Sequence, residues 1–268
     1  MPNSTPVHGQ KLAFGVDPKR REKYSLRQSR YYEIGVDVAR LGQLAKDQGR
    51  RLRLLDVGFG GGVSMRYIEV HEGADNIDYH GVDLKLIDGI YKRECWSGLY
   101  EGDLTQGLPF LDSDQFDVVI CEQVLEHLDE IDLAISTLHR VLTPGGTLIV
   151  GVPIFPPGLH LVRRHLVPVL DRVLLLNKQR GHVRAFSKYS FISDLRRNCK
   201  LQIQQTRGFR IVSGGLLRPL ENFRWCWRVN RFIGAIIPSL CIEIQVVAQK
   251  PLAETTVAQS TTRRSAAA

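Results

Sequence analysis

Between residues 21 and 250 the chain alternates two kinds of hydrophobic pattern. Short β-rich runs, "RLRLLDVG", "IDYHGVDL", "GLYEGDL", "FDVVICE" and "GTLIVGVP", read as strands. Stretches of helical spacing lie between them, over residues 63 to 72 and 131 to 142, and Thr143, Pro144 and Gly145 stop the second. A helix over residues 25 to 48 precedes the first strand. This alternation predicts an α/β domain with a doubly wound, mostly parallel sheet. After Pro153 the pattern changes. The stretch beginning "IFPPGLHLVRRHLVPVLDRVLLL" is long for a loop and predicts a helical insertion over 154–181 with a function of its own. A helix over 188–198, a strand over 201–212, an arginine-rich amphipathic segment over 216–238 and a last strand, "SLCIEIQVVAQK", complete the domain. The ends, 1–20 and 251–268, are rich in Pro, Ser, Thr, Ala and Gln and are expected to be disordered tails.

Composition narrows the class. At 268 residues and 43% hydrophobic content the chain can bury a sizeable core. It has no apolar run approaching the ~20 residues of a spanning helix, and its start has no secretory h-region. Five cysteines, Cys95, Cys121, Cys199, Cys226 and Cys241, are scattered without a C-x-x-C pair. Neither a disulfide framework nor a structural zinc site is expected, and the compartment expected is the cytoplasm. The net charge of +8 conceals an asymmetry: residues 51–150 carry 7 Lys+Arg against 18 Asp+Glu, and residues 151–250 carry 17 against 4. A basic half of this kind suits an anionic partner, whether nucleic acid, a phospholipid surface or a phosphorylated substrate, or else arginines that solvate exposed helices.

The stretch "LLDVGFGGG", residues 54 to 62, places a bare backbone at the first strand-to-helix turn, the point of an open parallel sheet that approaches a ligand most closely. A dinucleotide site would read G-x-G-x-x-G, but after Gly58 and Gly60 the third position is Val63. Two carboxylates add to the picture. Asp83 closes the second strand, where it can accept from both hydroxyls of a ribose. Asp103 follows the third, where it can accept from an adenine amino group while the next amide, of Leu104, donates to the ring. Each alone also suits a strand-end turn.

In order, "LLDVGFGGG", "GVDL", "GDL", "LPFLDSDQFDVVICEQVLEHL" and "RVLTPGGTLIVGVP" resemble the successive motifs of class I S-adenosylmethionine-dependent methyltransferases, across residues 52 to 153. The resemblance implies a Rossmann-like fold with a seven-stranded sheet and an antiparallel last strand, with S-adenosyl-L-methionine as cofactor. It implies that Asp56, Gly58, Gly60 and Gly62 surround the methionine portion, Asp83 the ribose, Asp103 and Leu104 the adenine, and Cys121 and Glu122 the other side of the cofactor. The methionine carboxylate would then lie near a helix N-terminus, whose partial positive charge favours it. Phe59, where many relatives carry a smaller residue, is expected to shape the pocket.

Methyl transfer requires alignment of donor and acceptor and, for a hydroxyl acceptor, removal of a proton. His182 and His127 are the candidate catalytic bases, although the recurrence of "VLEHL" in many methyltransferases favours a buried, structural His127. "CEQVLEH" followed by "GHVRAFS" is similar to the pattern of ubiquinone-pathway O-methyltransferases and, more distantly, of small-RNA 2'-O-methyltransferases. In some of these an E-x-x-E-H segment and a later histidine hold a divalent cation. Here Glu126, His127 and His182 match, but Gln123 replaces the first glutamate, and no metal is expected, since hard cations prefer carboxylates. The reading is an O-methyltransferase acting on a small or lipid-linked acceptor. Nucleic acid is not the expected partner, since no RNA-binding module is recognisable; an RNA methyltransferase and a non-catalytic cofactor-binding protein are the alternatives. In "FRWCWRVNRFIGAII", Trp225, Val229, Phe232, Ile233 and Ile236 share one helical face, while Arg224, Arg228 and Arg231 recur on another. That pattern suits either peripheral contact with an anionic membrane at its inner face or packing of the apolar face on the sheet.

Overall fold

The computed structural model of the protein describes residues 26–154, 186–211, 220 and 223–252. The expected N-terminal tail, His182, and nearly all of the insertion and of the C-terminal tail lie outside the described residues. Seven strands form one sheet: β1 (Leu52–Val57), β2 (Ile77–Asp83), β3 (Trp96–Glu101), β4 (Phe116–Glu122), β5 (Leu142–Pro153), β6 (Gln202–Phe209) and β7 (Glu243–Gln249). Their order is β3-β2-β1-β4-β5-β7-β6. The first five run parallel, and β7 is antiparallel to both β5 and β6. The doubly wound sheet with its antiparallel last strand is therefore as expected. Helices α1 (Ser29–Asp47), α2 (Val63–Ile68), α3 (Asp132–Val141), α4 (Lys188–Cys199) and α5 (Arg224–Ile236) cover it.

Strand alternation divides the core between two faces. Along β4, Val119 and Cys121 join Leu138, Phe191 and Leu195 beneath α3 and α4. Val118 and Ile120 point the other way, to Ile34, Val38 and Ile68 beneath α1 and α2. After β1 the chain moves outward to β2 and β3, then returns to pair β4 on the opposite side of β1. The carboxyl ends of β1 and β4 thus flank the switch point where an open α/β sheet binds its ligand.

Two boundaries differ from the pattern. Helix α2 stops at Ile68 rather than near residue 72, because the chain turns back at Gly73, which packs against the Ala39 carbonyl of α1. The Thr143-Pro144-Gly145 stop is not a separate loop. β5 begins at Leu142, opposite Phe116, and the register shifts before Thr147 pairs with Val118, so the breakers sit in an irregularity of the strand.

Helix α5 seats on β6. Cys226 and Trp227 are buried, the Asn230 side-chain oxygen accepts from the Ile211 amide at 3.1 Å, and Arg231 pairs with Glu33 of α1 at 2.6 Å. Gly234 lies directly on β6, where a Cβ would run into the Gly208 carbonyl oxygen. Gly234→Ala is accordingly expected to destabilise the protein by about 1–3 kcal/mol, the usual cost of overpacking, as measured by urea unfolding.

Candidate functional site

The loop after β1 is shaped by what surrounds it. Gly58 has φ +71°, and a Cβ there would collide with the Val124 side chain beyond β4, so the close approach of β1 and β4 requires glycine. At Gly60 and Gly61 a Cβ would meet nothing within 4 Å: the backbone faces open space. Asp83 holds this loop in place, its Oδ2 accepting from the Gly60 amide at 2.8 Å and its Oδ1 from the Leu84 amide at 2.8 Å. Asp56, buried at the end of β1, accepts from the Ser64 hydroxyl. Burial and the nearby charge of Asp83 outweigh that hydrogen bond and push its pKa up to about 7. Asp103 caps the turn Leu104–Gln106, its Oδ1 accepting from the Thr105 amide at 2.8 Å and hydroxyl at 2.7 Å.

These residues converge as anticipated on the carboxyl edge of β1, β2 and β3. Several details differ. Phe59 is 5% exposed and packs on Trp96, with ring centroids 4.8 Å apart, so it fills the core under the loop rather than a pocket wall. Helix α2 has six residues, which leaves it a smaller macrodipole than a full-length helix would have. Leu104 buries its side chain in the core and can offer a ligand only its backbone.

The end of β4 holds the largest departure. Cys121 and Glu122 point to opposite faces. The Cys121 thiol is enclosed in apolar core, and burial, with the nearby carboxylates Glu126, Glu122 and Asp56, raises its pKa well above the ordinary value. Glu122 is buried beneath α1, with its Oε1 3.0 Å from Arg30 Nε and its Oε2 accepting from the Gln245 amide at 3.0 Å. Arg30 also pairs with Glu243 at 2.9 Å, and Glu243 with Arg210 at 2.5 Å. Gly151 stands beside Glu122 on β5, where any Cβ would overlap the carboxylate. Both side chains are thus committed within the protein, and their contribution to a cofactor would come from main-chain atoms.

The sequence reading did not identify this ionic cluster. Its trace is "EIQ" in β7, where Glu243 and Gln245 put two polar side chains at period two on one face of an otherwise apolar strand.

His127 corrects an expectation: it is exposed rather than buried, with Nε2 3.8 Å from Glu126 Oε1. Glu126 itself is fully buried. Gln123, between Glu122 and Val124, takes φ +59°, a left-handed conformation uncommon for a residue with a side chain, and marks the switch point as locally strained. No group of three or more His, Cys, Asp or Glu side chains is arranged to hold a metal ion among the described residues.

Residues 55–150 match a family model described as a methyltransferase domain. No curated protein sequence matches the chain. Among solved structures, the chain is similar to a protein assigned as a sarcosine dimethylglycine methyltransferase from Galdieria sulphuraria (14% identity, 84% of this chain and 86% of that one, TM-score 0.55). It is also similar to a protein assigned as a methyltransferase from Bacillus halodurans (19%, 81% and 99%, TM-score 0.51). A third likeness is to the [4+2]-cyclase SpnF (19%, 80% and 81%, TM-score 0.51). At these identities the likeness is one of fold. The match places a methyltransferase domain signature on residues 55–150, and the likeness to solved structures supports a Rossmann-like fold of the kind methyltransferases use.

The buried cluster has a titration signature. Burial raises Glu122 to about 7 from an ordinary 4.5, against the opposing pull of Arg30 and Gln245. Between those values the unfolded chain has released a proton that the folded chain retains, so this group's contribution to stability falls as pH rises through the window. Glu122→Gln keeps the volume and removes the titration. Its stability relative to the unmodified protein should therefore climb between pH 4.5 and 7 in urea unfolding; an offset that stays constant with pH would mean that Glu122 ionises normally.

Proposed function

We propose that the protein is an S-adenosylmethionine-dependent O-methyltransferase acting on a small or lipid-linked hydroxyl acceptor. The observation that carries the reading is the convergence of an open glycine loop at Gly60 and Gly61 with Asp83 and Asp103, one carboxylate at the end of each of the next two strands. The residues fit the cofactor chemically. The bare loop leaves room where side chains would block a close approach, and Asp56, held near neutrality by burial, is suited to an ammonium group that would restore its ionised form. Asp83 would take the ribose hydroxyls, and Asp103, whose Oδ1 is engaged by Thr105, would take the adenine amino group through Oδ2. When bound, the cofactor supplies a methyl group already activated on a sulfonium.

What remains for the chain is to exclude water, to hold the acceptor oxygen in line with that methyl and to receive the hydroxyl proton. His182 is the residue proposed for the proton. His127, exposed beside the switch point, is the second candidate. The subtype similar to ubiquinone-pathway enzymes rests on "CEQVLEH" and "GHVRAFS", and Gln123 in place of a glutamate favours catalysis without a metal.

The cofactor assignment is tested by calorimetry with S-adenosylhomocysteine and with NAD. The first should bind and the second poorly. Asp83→Ala should weaken S-adenosylhomocysteine binding by about 1.5–3 kcal/mol, the scale of hydrogen bonds to a charged group; unchanged affinity would falsify the site. Because a cyclase shares this fold, turnover needs its own test: methyl-labelled cofactor incubated with separated lipid, RNA and polar-metabolite extracts should label the lipid or polar fraction. Labelled RNA would turn the reading to the RNA alternative, and no label in any fraction to a non-catalytic binder.

His182→Ala should lower kcat by roughly 100-fold or more with cofactor affinity nearly unchanged. Activity should survive exhaustive chelation; its loss, restored by a divalent cation, would return Glu126, His127 and His182 to the role of metal ligands.

A further inference from the structure

A helix on the outside of a sheet ordinarily buries its apolar stripe and shows polar residues to water. Helix α5 does the reverse. Its packed side is made by Cys226, Trp227 and Gly234, all buried, with Asn230 half-buried. Trp225, Val229, Phe232 and Ile236 are 56%, 45%, 67% and 60% exposed. At 100° per residue these four fall within about 60° of one another around the axis, on the side away from the sheet. The stripe runs off both ends of the helix through Phe223, Ile237 and Leu240, all exposed. Of the fifteen exposed large hydrophobic residues among those described, eight lie between residues 220 and 240, so this is one concentrated patch rather than the usual scatter.

The border of the patch is basic. Arg228, one turn before Phe232, is exposed, and Arg231 reaches back to Glu33. The half of the sequence that contains α5, residues 151–250, has 17 Lys+Arg to 4 Asp+Glu. At 13 residues α5 is too short to span a bilayer, and no helix among the described residues is long and apolar enough to cross one. We infer that α5 is an interfacial anchor that seats this face of the protein on an anionic lipid surface, with Trp225, Phe232 and Ile236 at the boundary of headgroups and acyl chains and Arg228 among the headgroups. A second copy of the chain is the poorer occupant: it would bring a like charge to the exposed Arg228 at the border of the patch, whereas anionic headgroups neutralise it.

The anchor and the candidate site lie on the same carboxyl edge of the sheet, four strand positions apart. β5 and β6 are both antiparallel to β7, and Pro153 and Phe209 both pair with Glu243, so β6 ends on the same sheet edge as β4 and β5. Helix α5 touches β6 at Gly208 and the chain just beyond it at Ile211. Only a small crevice of about 10 Å³ lies between α1 and α5, lined by Ser29, Glu33, Arg210, Trp227 and Asn230 among others. A bilayer under α5 would thus lie toward the same carboxyl edge that carries the glycine loop, beyond β4, β5 and β7. This deepens the reading of a lipid-linked acceptor and rests on it only for the acceptor. The docking surface rests on the exposure pattern of α5.

The test is sedimentation of the full chain with vesicles of phosphatidylcholine, with and without phosphatidylglycerol. Binding should require phosphatidylglycerol and weaken with added salt. It should fall roughly tenfold or more in the double variant Trp225→Gln, Phe232→Gln, and ~fivefold in Arg228→Gln. Thermal midpoint and S-adenosylhomocysteine affinity should not move in either.

A second readout needs no destabilising change. Trp96 and Trp227 are buried, so quenching of tryptophan fluorescence by brominated lipid should be strong in the unmodified protein and largely lost in Trp225→Phe. Three results would overturn the inference: no binding to phosphatidylglycerol vesicles at low salt, equal binding to neutral vesicles, or self-association that the double variant abolishes while vesicles stay unbound. Vesicle binding without methylation of any lipid would keep the anchor and remove the lipid-linked acceptor.

Discussion

The carboxylates at the strand ends must be reconciled with a dry interior, and Arg30 is the group that does so. Its guanidinium lies between Glu122 of β4 and Glu243 of β7, at 3.0 and 2.9 Å. From there the pairing extends across one face: Arg210 on Glu243, Arg207 on Asp37 with two contacts of 2.6 and 3.1 Å, and Arg231 on Glu33. Helix α1 supplies Arg30, Glu33 and Asp37 at spacings of three and four residues, which places all three on one side of the helix. The result is that ion pairs link α1 to β4, β6, β7 and α5. Removing one member of such a buried pair typically costs about 3–5 kcal/mol, because its partner is left uncompensated.

This arrangement is costly in the region where a ligand would sit. Asp56 and Glu122 both retain protons to about pH 7, and Gln123 is held at φ +59°. Stability is given up near the switch point and recovered in the apolar layers under α1 and α3. In the proposed reading Asp56 is the carboxyl poised for an incoming charged group, while Glu122 stays committed to Arg30 and Gln245.

How much of this was legible follows from what each signal depends on. Period-two and period-3.6 patterns are local, so the strands and most helices could be read directly, and the glycines and acids after β1, β2 and β3 fell on one edge because a parallel sheet puts all its carboxyl ends together. The end of α2 was misread because it depends on a contact between Gly73 and α1, far away in sequence. His127 was misread because recurrence of a segment says nothing of which way its side chain faces. The direction of α5 was also undecided: amphipathic spacing defines a stripe, but only the close seating of Gly234 on Gly208 turns that stripe outward. Glu122 looked like a ligand contact because its partners Arg30 and Gln245 lie ninety or more residues away on either side.

Strand order carries a consequence for how the chain can be assembled as it is synthesised. β6 precedes β7 in the chain yet lies outside it, so β6 cannot join the sheet until β7 has been made. Throughout translation of residues 154 to 242 the outer edge of β5 remains an open row of amides and carbonyls, and Glu122 lacks the Gln245 amide that will later meet it. The nascent protein thus carries its half-built binding edge beside an unpaired strand, and closes both in a single late event when the last strand slots between two that are already present.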